Sequence, residues 1–408
     1  MSTRYFFIEP IDVLMLRGNL SFGASGQHGG ALMPPWPSVF AGALRSALLG
    51  QDGRRLAEFV KVGSGRFDSE VDRAQSMRAV LGDALFGVLG TPQQPGTFRV
   101  TWASLGRAVP GAVSPQALLP LPADLLVADE ARALPTSLTP TPWPPGTSGA
   151  QALPMVAMLR SSKQVKPAGG RWLDGSALAA HLRGDSVRAS EGSGDLFKSE
   201  TRLGIELDTR SRTARDRKLY TTDAVTFCEH TGFLVGVHGD GGLLPMAGTL
   251  RLGGDGKGAR YRDMPFDAPG PALPRQGGRF RLILTTPALF AHGWLPSGVV
   301  AENDPANAAR VGPTYRLRGP GFSARLACAA IGRHEVVSGW DLAQWKPKTA
   351  QRAAPAGSVY WFDEFDGDAG KLASWVARGL CAENENTMPA QQQRRAEGFN
   401  TALLGAWL

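Results

Sequence analysis

The chain has 408 residues, 43% of them hydrophobic, which is enough apolar material for a buried core and a length suited to about two or three domains. Its 51 glycines and 30 prolines stop short of a low-complexity composition and point to many turns and long loops, while 44 basic against 36 acidic residues leave a formal charge of +8 that suits a polyanionic partner. No apolar run reaches the roughly 18 residues of a membrane span, and Glu9 and Pro10 interrupt the N-terminus before a signal-peptide core could form.

Residues 5–9 and 13–17 read as two short strands, followed by a Gly-rich loop from 18 to 30. Pro37 and Ser38 suit a helix start and Gly50 its end. Between them Phe40, Leu44, Ala47 and Leu48 share one helical face. Residues 70–89 read as a second helix. In 97–104, Phe98, Val100 and Trp102 alternate with polar residues, as in a strand. From 110 to 170 prolines cluster, most densely at Pro140-Thr141-Pro142-Trp143-Pro144-Pro145, which reads as a connector packed on the surface. Residues 176–183 suit a short helix. Residues 202–208 and 219–227 alternate like two strands around an Arg-dense link, 209–218, so that the stretch reads as a projecting basic hairpin. Further strands are expected at 233–237, 279–285, 325–331, 336–340 and 358–362, and a helix at 370–378. The expected organisation is an N-terminal domain over 1–109, a Pro-rich connector over 110–200, and a C-terminal domain over 201–408 that carries the hairpin 202–227.

Several motifs resemble chemical sites. Gly253-Gly254-Asp255-Gly256-Lys257-Gly258 fails as a P-loop, because Arg251 and Gly258 stand where Gly and Ser or Thr are needed. It also resembles the metal-binding turn of nucleotidyl cyclases, but Gly256 occupies the place of the second acid. Two readings remain: a turn that brings backbone N–H groups to a phosphate beside Arg251, Lys257, Arg260 and Arg262, or a flexible surface turn. The six histidines include no metal-ligating spacing. His28, in the Gly-rich loop, is either the general base of a metal-independent ribonuclease or a polar loop residue facing RNA or solvent. The hairpin either neutralises phosphates while Tyr220 or Leu219 presses on a base, or is a solvated charged ribbon. The three cysteines, Cys228, Cys328 and Cys381, match no zinc spacing and leave one unpaired in any disulfide scheme, so a reducing cytoplasm is the expected compartment.

Phe7-Ile8-Glu9-Pro10-Ile11-Asp12-Val13-Leu14-Met15-Leu16-Arg17-Gly18, then Ser21-Phe22-Gly23, resembles a strand and Phe-Gly loop of a known family. Pro37-Ser38 before Ala41-Gly42-Ala43-Leu44-Arg45 continues the likeness, as do Arg202-Leu203-Gly204-Ile205-Glu206-Leu207-Asp208 and Leu252-Gly253-Gly254-Asp255-Gly256-Lys257. Ser338-Gly339-Trp340-Asp341, Pro355-Ala356-Gly357-Ser358-Val359-Tyr360 and Glu397-Gly398-Phe399-Asn400 extend it to the C-terminus. In order and spacing the chain resembles the repeat-tag-binding subunit of the Cmr (type III-B) CRISPR effector complex, a member of the RAMP superfamily. It departs at Trp36, at Asp255 and Lys257 (where Glu and Arg are commoner) and at Asn400, which replaces a usual glycine.

The resemblance implies an α+β fold of two ferredoxin-like, RNA-recognition-motif-like domains with long Gly/Pro-rich loops and insertions. It implies a non-catalytic subunit without metal or cofactor that grips the 5′ repeat-derived tag of crRNA. The implied partners are the large polymerase-like subunit and a backbone RAMP subunit, with target RNA met indirectly and no membrane. The alternative is a crRNA-processing endoribonuclease of the same superfamily that uses His28. The expected RNA contacts in the first half are Arg17, Phe22, His28, Ser38 and Arg45. On the hairpin they are Arg202, Arg210, Arg212, Lys218 and Tyr220, and at the glycine turn Gly253, Gly254, Lys257 and Arg260. Replacing Lys257 or Arg260 is expected to flatten the salt dependence of RNA binding by about one unit each.

Overall fold

The computed structural model describes residues 2–16, 18, 28–29, 32–91, 93–130, 133–147, 153–302, 313–341, 346–381 and 389–408. The protein is α+β: mostly antiparallel sheets, with six α-helices among the described residues. It divides into two units, each assembled from distant segments. Met1–Pro115, Ser193–Phe266 and Val336–Gln351 form the first, and Gln116–Gly192, Asp267–Glu335 and Arg352–Leu408 the second.

In the first unit the central strand is Thr3–Pro10, antiparallel to Thr231–His238 on one side and to Gly258–Asp263 on the other. Arg99–Arg107 pairs outside Thr231–His238, and Ala247–Arg251 forms the far edge. Phe6, Phe7 and Ile8 are all buried, so both faces of the central strand are covered. Helix Pro37–Leu49 starts at a proline, whose missing N–H costs nothing there, and buries Phe40, Leu44 and Leu48 as their spacing predicts. The Phe40 ring lies 4.8 Å from Phe233 on the sheet. Helix Glu70–Leu89 is capped by Ser69, whose hydroxyl accepts from Asp72 N, and is kinked at Gly82, where φ is 73°. A helix that periodicity did not expose, Arg55–Gly63, lies between them with its apolar residues only half-buried.

Residues 13–16 form a single bridge, Leu14 to Val225, instead of the strand expected over 13–17. Their backbone hydrogen bonds go to three different neighbours, Leu14 to Val225, Met15 to Gly254 and Leu16 to Leu32, so no continuous ladder can form. The hairpin is longer than expected: Phe197–Leu207 pairs with Ala214–Phe227. Asp208 closes its tip by accepting the N–H groups of Arg210 and Ser211, each at 3.0 Å.

In the second unit the sheet runs Val299–Glu302, Thr314–Gly319, Phe322–Ala330, Val359–Gly367, Phe280–Leu284, Ala402–Ala406, all antiparallel. Every residue of Phe280–Leu284 is buried. Phe280, Leu282, Tyr360 and Phe362 face a core that includes Leu372, Trp375 and Val376 of helix Ala369–Ala377. Trp361 is 1% exposed and is therefore a core residue. Arg281 meets Asp124 and His181, the latter on helix Gly175–Arg183, so residues of the Pro-rich stretch bind this sheet strand through a buried polar cluster.

Asn400 sits at φ 64°, a left-handed conformation that glycine adopts freely and asparagine tolerates. Its side chain accepts from Leu289 N at 2.7 Å and donates to Leu380 O at 3.3 Å. The departure from glycine at this position is thus matched by added hydrogen bonds. Asn400→Ala is expected to lose about 1–2 kcal/mol more stability than Asn400→Gly in urea unfolding, because only alanine adds the left-handed penalty. Equal losses would put the whole cost in the side-chain bonds.

Candidate nucleic-acid interface

The turn between strands Ala247–Arg251 and Gly258–Asp263 is built by three residues with positive φ: Gly253 at 75°, Asp255 at 56° and Gly256 at 62°. Leu252 N donates to Lys257 O at 2.9 Å and closes it. Left-handed residues in a turn are a backbone form in which anion-binding nests occur; here the Leu252, Gly254 and Lys257 N–H groups donate to backbone carbonyls. The turn is fixed to the segment after the first strand, because Ile11 N donates to Gly258 O at 3.0 Å and Gly254 N to Met15 O at 2.9 Å. On its other side this segment joins the hairpin base: Leu14 N donates to Val225 O and Val225 N to Leu14 O, at 2.9 and 2.8 Å.

The backbone of His28 and Gly29 continues the arrangement, parallel to Thr221 and Thr222 of the hairpin. Thr222 is in turn the cross-strand partner of Arg202. Residues 12–15 therefore form a seam between the glycine turn and the hairpin, and it brings together Arg202, the His28 backbone, Gly253, Gly254 and Lys257. Lys257 Nζ donates to Asp12 Oδ2 at 2.9 Å. That hydrogen bond is the first cause that holds the Asp12 carboxyl below its usual range; the nearby Arg202 charge contributes less.

The other expected contacts have different surroundings. Ser38 is half-buried in the first turn of helix Pro37–Leu49. Arg45 packs its guanidinium 5.1 Å from the ring centre of Phe98, a fully buried residue. Arg210 and Arg212 are exposed at the hairpin tip. Lys218 lies 3.6 Å from Glu206, which also holds Arg215 at 2.7 Å. The charge of this part of the ribbon is thus partly cancelled across the strands, which depresses the Glu206 carboxyl, Arg215 contributing most. The Tyr220 ring covers Gly204, where an added Cβ would come within 2.4 Å of it. Arg260 is exposed on strand Gly258–Asp263. Arg17 and Phe22 lie outside the described residues, as does the His28 side chain.

Asp12 is the residue that sequence reasoning missed. It stands in the same motif as Arg17, but its partner is 245 positions away, and no local pattern carries that pairing. Among the described residues no group of three or more His, Cys, Asp or Glu could hold a metal ion, and no helix is long and apolar enough to cross a membrane.

These features define an α+β protein in which a basic glycine turn and a long hairpin meet along one seam. Over residues 6–407 the chain matches the family described as CRISPR-associated protein (Cas_Cmr3), and it belongs to that family. A chain in the cryo-EM structure of the Type III-B Cmr-beta bound to cognate target RNA and AMPPnP, state 1, is 14% identical, with a TM-score of 0.47 and coverage of 98% of this chain and 95% of that one. A chain in the cryo-EM structure of the Type III-B Cmr-beta bound to cognate target RNA is also 14% identical, with a TM-score of 0.46 and coverage of 98% and 96%. No curated protein matches the chain.

Proposed function

We propose that this chain is a subunit of the type III-B Cmr complex, that it binds the 5′ repeat-derived tag of crRNA and that it carries out no chemistry itself. In this reading it docks on the large polymerase-like subunit and on a backbone subunit, meets target RNA only through the assembly, and works in the cytoplasm. The observation that carries the reading is the seam. A glycine turn with three positive-φ residues and a lysine lies on one side of residues 12–15, and a hairpin bearing Arg202 on the other. Single-stranded RNA needs backbone donors and cations for its phosphates, together with flat or apolar surfaces for its bases.

We further infer that each unit is ferredoxin-like. In the first, strands Thr3–Pro10, Arg99–Arg107, Thr231–His238 and Gly258–Asp263 lie in the spatial order second, third, first, fourth. In the second, Phe280–Leu284, Phe322–Ala330, Val359–Gly367 and Ala402–Ala406 repeat that order. Each crossover passes over one strand, as in a β-α-β-β-α-β unit. The first unit carries a helix, Pro37–Leu49, on its first crossover, and the second unit carries Ala369–Ala377 on its second.

The test is to purify the chain with its co-expressed partner subunits and sequence the RNA that accompanies it. Short RNAs sharing one repeat-derived 5′ end are expected. Recovery of unprocessed repeat RNA, cleaved by the chain in a reaction that His28→Ala abolishes, would overturn the reading. With the purified chain, Arg260→Gln is expected to weaken RNA binding and flatten its salt slope by about 0.7, one phosphate contact on a single strand. An unchanged slope removes Arg260 from the interface.

A further inference from the structure

Lys257 differs from Arg260 in one respect that matters for RNA. Its ammonium is already engaged by a carboxylate, Asp12 Oδ2 at 2.9 Å. The two groups are unequally open, the lysine side chain 23% exposed and the aspartate 61%, so the carboxylate is the more solvent-accessible member of the pair. Their placement is set by the backbone, because Ile11 N and Gly254 N fix the two segments to each other on either side of the pair. An anion that approaches the Lys257 ammonium therefore competes with a carboxylate already bound to it.

We propose that Asp12 is a displaceable stand-in for an RNA phosphate. In the free chain its carboxylate occupies the Lys257 site, and RNA binding exchanges it for a phosphate oxygen. The proposal rests on the glycine turn being part of the RNA site. A carboxylate and a phosphate offer a lysine the same kind of charge-assisted acceptor, and an exposed ion pair gives up its partner at little cost. No covalent step is involved. The exchange acts as a threshold: a weakly held polyanion cannot displace the internal carboxylate, whereas a strand also gripped by the neighbouring donors can. It keeps the lysine sheltered and oriented until then.

The exchange leaves a signature in the salt dependence. When Lys257 passes from Asp12 to a phosphate, the RNA releases a counterion while the freed carboxylate takes one up. Lys257 then adds almost nothing to the salt slope of the native protein, whereas an unpaired lysine would add about 0.7 on a single strand.

The experiment uses the full chain and a fluorescein-labelled octamer of uridine, with anisotropy titrations over a range of salt concentrations. Asp12→Asn is expected to tighten binding about threefold to tenfold at low salt and to steepen the slope by about 0.7. Adding Lys257→Met to Asp12→Asn is expected to return the slope to the native value. If Asp12→Asn weakens binding, changes nothing, or tightens binding without steepening the slope, while Lys257→Met and Arg260→Gln both weaken it, the stand-in is overturned and Asp12 merely positions Lys257. If neither Lys257→Met nor Arg260→Gln alters binding, the turn is not the RNA site, and the stand-in falls together with the reading on which it rests.

Discussion

Arg281→Met is expected to destabilise the second unit by about 3–5 kcal/mol, the usual loss when one partner of a buried ion pair is removed. Arg281 projects from strand Phe280–Leu284, and its Nη1 donates to Asp124 Oδ2. Its Nη2 donates to the carbonyl of His181. His181 Nε2 lies 2.9 Å from the other oxygen of Asp124, and its Nδ1 lies 3.4 Å from Arg281 Nη2. The neutral imidazole with its proton on Nε2 satisfies both contacts, donating to the carboxylate and accepting from the guanidinium. Asp124 is 0% exposed and His181 1%. Burial pulls the Arg281 guanidinium below its ordinary range while Asp124 pushes it back up, so desolvation outweighs the pairing. Such a cluster adds little net stability over an apolar packing, yet it punishes the loss of one member because the remaining charge is stranded. Gly405 leaves room for it, since a Cβ there would lie 3.2 Å from Arg281 Nε. Urea unfolding followed by tryptophan fluorescence measures the loss. Asp124→Asn combined with Arg281→Met is expected to recover most of it. A double variant as unstable as the single one would place the cost in the packing of the arginine stem.

Much of the local structure is legible in the residues because its causes are local. Pro37 and Gly50 bracket a helix whose apolar spacing matches its buried face, and the Asp368 cap and apolar face of Ala369–Ala377 work in the same way. The glycine turn is recognisable because several adjacent glycines have few uses other than positive φ. What is not legible is long-range. Nothing within Thr231–His238 says that it lies between Thr3–Pro10 and Arg99–Arg107, yet that pairing places residues 193–266 with the N-terminal segment. Single residues suffer from the same limit. Arg45 looks like a free cation at a helix, but its guanidinium rests on the ring of Phe98. Lys218 reads as part of a basic tip, but Glu206 meets it across the hairpin. A count of cations along the chain overstates the charge presented to a partner, because pairing across strands has no signature in local composition. The seam itself depends on Leu14 meeting Val225 and Gly254 meeting Met15, contacts between segments more than two hundred residues apart.

Gly253→Ala is expected to weaken binding of crRNA tag sequence about tenfold, whereas Gly254→Ala is expected to leave it within about twofold. The two glycines are adjacent but differ in what a side chain would meet. At Gly253 φ is 75°, and a Cβ would come within 2.8 Å of the Met15 carbonyl oxygen, a backbone atom that cannot swing aside. The left-handed backbone alone costs an alanine about 1–2 kcal/mol, and about 1.4 kcal/mol is a factor of ten in affinity. At Gly254 the nearest atom to a Cβ is the same oxygen at 3.5 Å, an ordinary contact. The strain at 253 must be relieved by the turn, since Met15 is held between it and the hairpin base. The turn then loses its shape and the footing of Lys257, while the strands on either side keep their pairing. Affinity is therefore expected to fall far more than the unfolding midpoint moves, as anisotropy and urea titrations on the same samples would show. Equal effects of the two substitutions would mean that the RNA does not depend on the shape of the turn. A collapse in stability at Gly253→Ala would mean that the contact with Met15 holds up the first unit itself.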